Sequence, residues 1–218
     1  MAKHYRATTF PKRGSPKREP YERVLIVVEG SNTELYYFQA LIDHLKLSTA
    51  NVTVDPNSDS APQSVVQHAK KQYEESKRSG DAFDRVYCVF DKDRHSTYQS
   101  AINEVKTARP ANVFEVMTSV PCFEYWLLLH FSYTTKPYDR SEKRSSCDCV
   151  TDDLQLHLPD YDNKGDIITF SEKVIPFIPT ALIHAERANR EAERNDTDNP
   201  STSVNLLVQY LHNLKSSK

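Results

Sequence analysis

Glu29-Gly30, Asp91-Lys92-Asp93 and Glu124 are the residues of this chain whose types and surroundings suit chemistry. Two of these acidic groups directly follow apolar runs, Val24-Leu25-Ile26-Val27-Val28 before Glu29 and Val86-Tyr87-Cys88-Val89-Phe90 before Asp91. Carboxylates at the ends of neighbouring buried strands meet at one rim, where open α/β sheets bind their ligands. Three acids converging there repel one another unless a cation sits between them. Oxygen ligands suit Mg²⁺ or Mn²⁺ rather than zinc. Carboxylate-held divalent ions serve phosphoryl transfer, since they neutralise phosphate, lower the pKa of a bound water and stabilise a leaving oxygen. Glu29 is alternatively a general acid or base, if its neighbours raise its pKa.

Other residues near these acids have two readings each. Glu34 is a further metal candidate and equally the reach-back half of an S-x-x-E capping box opened by Ser31. Ser119 is a hydroxyl aimed at the rim or the cap of the helix that follows. Glu124 is a fourth carboxylate there, or an acid that complements a helix dipole. Lys92 offsets the charge of its two Asp neighbours or touches substrate, and His95 contacts a phosphate or caps a helix. An Asp-x-Asp pair alone is common turn chemistry. The joint pattern of strand, Glu-Gly and helix, then strand, Asp-x-Asp and helix, is what singles the constellation out. Cys147-Asp148-Cys149 with His157 lacks the spacing of a zinc knuckle, and Walker A, Rossmann glycine and G-x-S-x-G patterns are absent.

The elements that must position these residues follow from periodicity. Five consecutive apolar residues suit a strand buried on both faces. The helix after it places Leu35, Phe38, Leu41, Ile42 and Leu45 on one side. A short strand is expected at 51–55, a helix at 63–78 ending near Gly80, a strand at 85–90 and a helix at 96–108. Residues 113–117 read as a fourth strand and 125–131 as a short apolar helix with Pro121 in its first turn. The order β-α-β-α-β-α-β predicts an α/β three-layer sandwich with a mainly parallel sheet and right-handed crossovers. Residues 132–165 turn polar and irregular, in the manner of an insertion or lid. Helices return at about 179–193 and again after Pro200, where Ser201 is a candidate cap and Val204, Leu207, Val208, Leu211 and Leu214 form an apolar stripe. The expected organisation is a basic, disordered arm over 1–22, a catalytic core over 23–131, and a polar insertion with C-terminal helices over 132–218.

With 218 residues, 38% hydrophobic and 27% charged, the chain has the composition of a soluble globular protein. No run approaches 18 uninterrupted apolar residues, so no membrane-crossing helix is expected. The basic N-terminus lacks an apolar signal region, and four Cys suit a reducing cytoplasm. The net charge of −2 is uneven: residues 1–23 carry +5, leaving −7 on the rest. A basic arm on an acidic body is suited to a phosphate backbone, or is simply a solvated leader.

At these residues the chain resembles a Toprim domain, the metal-dependent fold shared by topoisomerases, DnaG-type primases and OLD-family nucleases. Glu29, Asp91 and Asp93 match its Glu after the first strand and its D-x-D after a later one. More narrowly, the chain resembles the RloB family through four blocks. They are I-V-x-E-G at Ile26 to Gly30, F-D-x-D at Phe90 to Asp93, P-C-F-E-x-W-L-L-L-H-F at Pro121 to Phe131, and N-P-S-T at Asn199 to Thr202. The resemblance implies a Toprim-like sheet and a prokaryotic, cytoplasmic, anti-phage or abortive-infection protein, often encoded beside an AAA-type ATPase. It implies a Mg²⁺-dependent nuclease acting on RNA or DNA, with Glu29, Asp91 and Asp93 catalytic and metal-binding, and is compatible with a homodimer. OLD-type nucleases add an acid soon after the first Glu and a Ser-x-Glu after the last core strand. Glu34 and the Ser119/Glu124 pair occupy comparable places at different spacings. The alternative expectation is an interaction subunit that docks a Toprim scaffold on the ATPase with little activity of its own. Phosphoryl transfer on a small nucleotide is a third reading, because metal-bound acids do not specify a substrate.

Overall fold

The structure, a computed structural model, describes residues 22–30, 32–49, 52–58, 61–162 and 164–216. The expected basic arm lies outside these residues apart from Glu22, as does Ser31. Four parallel strands and one antiparallel strand form a sheet in the order β2-β1-β3-β4-β5. They are β1 (Val24–Val28), β2 (Val52–Asp55), β3 (Arg85–Asp91), β4 (Phe114–Val120) and β5 (Ser201–Thr202). The α/β class and the mainly parallel sheet agree with the expectation.

Alternation along the central strands divides the core in two. Val24, Ile26 and Val28 of β1, with Tyr87 and Val89 of β3, face a large apolar cluster. That cluster is built by α1 (Thr33–Leu45), α4 (Phe123–Leu128), α5 (Ser146–Gln155), α7 (Ile178–Arg194) and α8 (Val204–Ser216). Leu25 and Val27, with Val86, Cys88 and Phe90, face a smaller cluster under α2 (Pro62–Arg78) and α3 (Tyr98–Thr107). Burial on both faces is why β1 reads as an unbroken apolar run. The chain steps from β1 to β2 on one side and reaches β3 and β4 on the other, so strand order reverses between β1 and β3. In open α/β sheets that reversal leaves a crevice at the carboxyl ends of the two strands.

Several boundaries differ from the expectation. β4 runs on to Val120, and α4 begins at Phe123 rather than Tyr125. Ser119 is therefore a strand residue and not a cap, and its hydroxyl lies 3.0 Å from that of Thr202. Ser201 likewise lies in β5, pairing antiparallel with β4, while the Thr202 hydroxyl accepts the Val204 N–H at the start of α8. The polar stretch holds a true helix, α5, opened by a capping box between Ser145 and Asp148. A single turn, α6 (Ile167–Thr169), continues through a π turn and a 3₁₀ turn into α7. This helical run of 28 residues is long and apolar enough to cross a membrane. Ile178, Ala181, Ala185 and Ala188 of its α7 portion are buried in the large cluster instead.

The residues after 132 thus share one core with β1 and α1. Replacing the fully buried Leu207 with Ala should lower the unfolding free energy by about 2–5 kcal/mol. Urea unfolding should remain a single transition; separate early melting of the C-terminal helices would contradict the shared core.

Candidate metal centre

Glu29 is the first residue beyond β1, and its N–H donates to the Val89 carbonyl at 3.1 Å, which extends the β1–β3 ladder to the crevice. Its side chain turns across to β3. There Oε2 accepts the Asp91 N–H at 3.0 Å, and Oε1 lies 3.0 Å from His95 Nε2. Asp91 ends β3, and its Oδ2 accepts the Phe123 N–H at 3.0 Å from the first residue of α4. Glu124 follows at once, and its Oε1 accepts the Tyr161 hydroxyl at 2.7 Å. Glu34 comes from the first turn of α1 and is buried against Gly30. A Cβ on Gly30 would stand 2.6 Å from Glu34 Oε2, so the glycine provides the space for that carboxylate.

Electrostatics binds these four acids into one group. Burial pushes the Asp91 carboxyl well above the usual carboxylate range, and the charges of Glu34, Glu124 and Glu29 push it further. Burial raises Glu34 to about 7, with the charges of Glu124 and Glu29 adding to the effect. Glu29 is raised chiefly by burial, against the Asp91 N–H and His95, which favour its ionised form. Hydrogen bonds and His95 hold some of the oxygens, but among the described residues no Lys or Arg forms an ion pair with any of the four acids.

Glu29, Asp91, Glu124 and Glu34 are therefore brought together. Asp93 is not in the group: its backbone takes a positive φ of 25°, its side chain is exposed, and its charge is felt at Glu29. Lys92 neither offsets these acids nor faces them, being paired with Asp198. Ser119 is turned to β5, as described above. His95 meets Glu29 rather than serving as a free cap. Tyr161 carried no signal in the sequence, since it sits in an irregular stretch 128 positions beyond Thr33, whose hydroxyl it approaches at 3.1 Å.

Among the described residues, no three His, Cys, Asp or Glu side chains already converge as ligands. The donor set nonetheless fits a hard divalent cation: carboxylate oxygens only, buried or partly buried, and mutually repelling at one rim of the sheet. Assembly of the ligand shell would then accompany ion binding, with release of the protons that burial favours.

An α/β protein with an acidic centre at its strand-order reversal is thus defined by fold and site together. The chain belongs to the RloB-like protein family, whose model matches residues 24–211. No curated protein and no solved structure matches it.

Two predictions follow from this geometry. A carboxylate with a raised folded-state pKa stabilises the fold below its unfolded pKa and loses that contribution as pH rises through the folded value. For Glu34 the window runs from 4.5 to about 7, and its span corresponds to roughly 3 kcal/mol. Without added metal, Glu34→Gln should melt at the same temperature as wild type near pH 4.5 and several degrees higher at pH 8. Equal melting temperatures at both pH values would contradict the buried cluster. Gly30→Ala should leave the fold intact, because the displaced atom is the end of a flexible side chain, while expelling Glu34. Its metal-induced rise in melting temperature should fall clearly below that of wild type.

Proposed function

We propose that the chain is a divalent-metal-dependent nuclease of the Toprim type, hydrolysing phosphodiester bonds of RNA or DNA in a prokaryotic defence system. The observation that carries the proposal is the grouping of four carboxylates, Glu34 buried and Glu29, Asp91 and Glu124 partly buried, at the carboxyl ends of β1, β3 and β4, with mutual charge that pushes the Asp91 and Glu34 carboxyls up. No Lys or Arg ion pair offsets it, since Lys92 holds Asp198 and Arg94 is exposed. Family membership supports the same reading, as do the Glu-Gly and Asp-x-Asp blocks at the crevice.

In this reading Glu29, Asp91, Glu34 and Glu124 hold Mg²⁺ or Mn²⁺. A bound ion of this kind would neutralise the phosphodiester and lower the pKa of its water. The protein's own contributions are distinct. The Asp91 and Phe123 N–H groups fix which carboxylate oxygens face inward. His95 orients Glu29. Asp93 and Arg94 are exposed in the loop that follows, with Arg94 available to a phosphate. The basic N-terminal residues add a further attraction for a polyanion.

The test is incubation of the purified protein with tRNA and with plasmid, with and without an AAA-type ATPase encoded beside it. Cleavage should require Mg²⁺ or Mn²⁺ and fall to background in Glu29→Gln and Asp91→Asn. Metal at about 100 times its Kd should stabilise wild type by about 2.7 kcal/mol. Asp91→Asn should start from a higher metal-free melting temperature and lose that response. Intact defence in both acid-to-amide variants would favour the docking-subunit alternative.

A further inference from the structure

Tyr161 reaches the acidic centre from outside the sheet. Its backbone is fixed on both sides: its N–H donates to the Leu158 carbonyl at 3.0 Å, and its carbonyl accepts Gln155 Nε2 at 2.7 Å. The residue is 5% exposed. Its hydroxyl donates to Glu124 Oε1 at 2.7 Å and lies 3.1 Å from Thr33 Oγ1 on α1. Thr33 also donates to the Lys164 carbonyl at 3.3 Å. The segment around Tyr161 is therefore tied to both helices that carry the outer acids, α1 with Glu34 and α4 with Glu124.

The hydroxyl occupies one of the two oxygens of Glu124. A carboxylate held in this way offers its other oxygen, Oε2, to an ion more readily than Oε1, and its orientation is set before the ion arrives. Small octahedral cations such as Mg²⁺ take carboxylates through one oxygen each, whereas Ca²⁺ accepts carboxylates that chelate through both and tolerates looser geometry. Partners that orient ligands are worth 10–100-fold in metal affinity in general.

We propose that Tyr161 is a positioning residue that makes Glu124 a one-oxygen ligand and thereby selects Mg²⁺ or Mn²⁺ over Ca²⁺. This rests on the metal-centre reading above and assigns a role to a residue of the polar stretch that the acid motifs leave unexplained. The phenol does not touch the reacting atoms. Its effect is on which ion the acids hold, and how tightly.

The experiment is calorimetric titration of the full chain with Mg²⁺, Mn²⁺ and Ca²⁺ separately, for wild type, Tyr161→Phe, Glu124→Gln and the double variant. Tyr161→Phe keeps the ring and so the packing; melting temperature and near-ultraviolet circular dichroism verify its fold. Its Mg²⁺ and Mn²⁺ affinities should fall about 10-fold or more, with Ca²⁺ affinity unchanged or higher, so that the preference narrows. In the Glu124→Gln background, adding Tyr161→Phe should change none of the affinities further. An unchanged preference in Tyr161→Phe, whether both affinities hold or fall together, overturns the proposal and leaves the metal centre standing. Wild type that binds none of the three ions overturns both.

Discussion

Repulsion among buried carboxylates is the constraint around which the rest of the structure is arranged. Two unit charges about 5 Å apart at an effective dielectric near 20 oppose each other by roughly 3 kcal/mol. A hydrogen bond to a charged group returns about 1.5–3 kcal/mol. Repulsion of this kind acts among Glu29, Glu34, Asp91 and Glu124, whereas the N–H groups of Asp91 and Phe123, the Tyr161 hydroxyl and His95 each hold one oxygen. Hydrogen bonding alone does not balance that ledger. Either protons are taken up, as the raised pKa values of Asp91 and Glu34 express, or a cation enters. A protein that keeps this arrangement retains a local instability that a ligand can remove.

The fold concentrates the charge by ordinary means. Parallel strands place their carboxyl ends on one side, and the reversal of strand order between β1 and β3 leaves that side uncovered at those two strands. Glu29 and Asp91 are the residues that end there. α1 and α4 then begin on the same face of the sheet, and each delivers an acid from its first turn. Near a helix start an acid is favoured by the dipole in any protein, so the two helices supply a small general stabilisation to residues whose mutual repulsion is larger. Gly30 completes the geometry by leaving a side chain's worth of space to Glu34.

How much of this was legible in sequence depended on whether the signal was local. Unbroken apolar runs marked the central strands because both faces are covered, and the acids following them could be placed at one rim without coordinates. Asp91 and Asp93 were indistinguishable at that level, two carboxylates one residue apart. The positive φ at Asp93 separates them, turning its side chain to solvent while Asp91 stays within hydrogen-bond reach of α4. Glu34 read equally as half of a capping box; its buried position beside Gly30 favours the site. In sequence Ser201 suits a cap, and Ser119 suits either a cap or a hydroxyl aimed at the rim, because hydroxyls before helices usually cap them. Both instead lie in strands, in a two-residue pairing too short to leave a periodic pattern. Tyr161 had no local signal at all, since its partners lie 37 and 128 positions away.

The four sequence blocks that carry the family resemblance divide physically into two groups. The Glu-Gly, Asp-x-Asp and P-C-F-E blocks meet at the acidic centre. The Asn199-Pro200-Ser201-Thr202 block does not reach it. Thr202 exchanges two backbone hydrogen bonds with the Asn189 side chain of α7 and lies against Ser119, while Asn199 exchanges two with the Tyr138 backbone. Asp198, directly before it, holds Lys92. This block therefore closes the β4 edge, and Asp198 beside it pairs with Lys92 in place of the acids that flank Lys92 in sequence. Placed among them, its ammonium would offset part of the charge that pushes the Asp91 and Glu34 carboxyls up. Asp198, just ahead of the edge strand, thus helps keep the centre anionic.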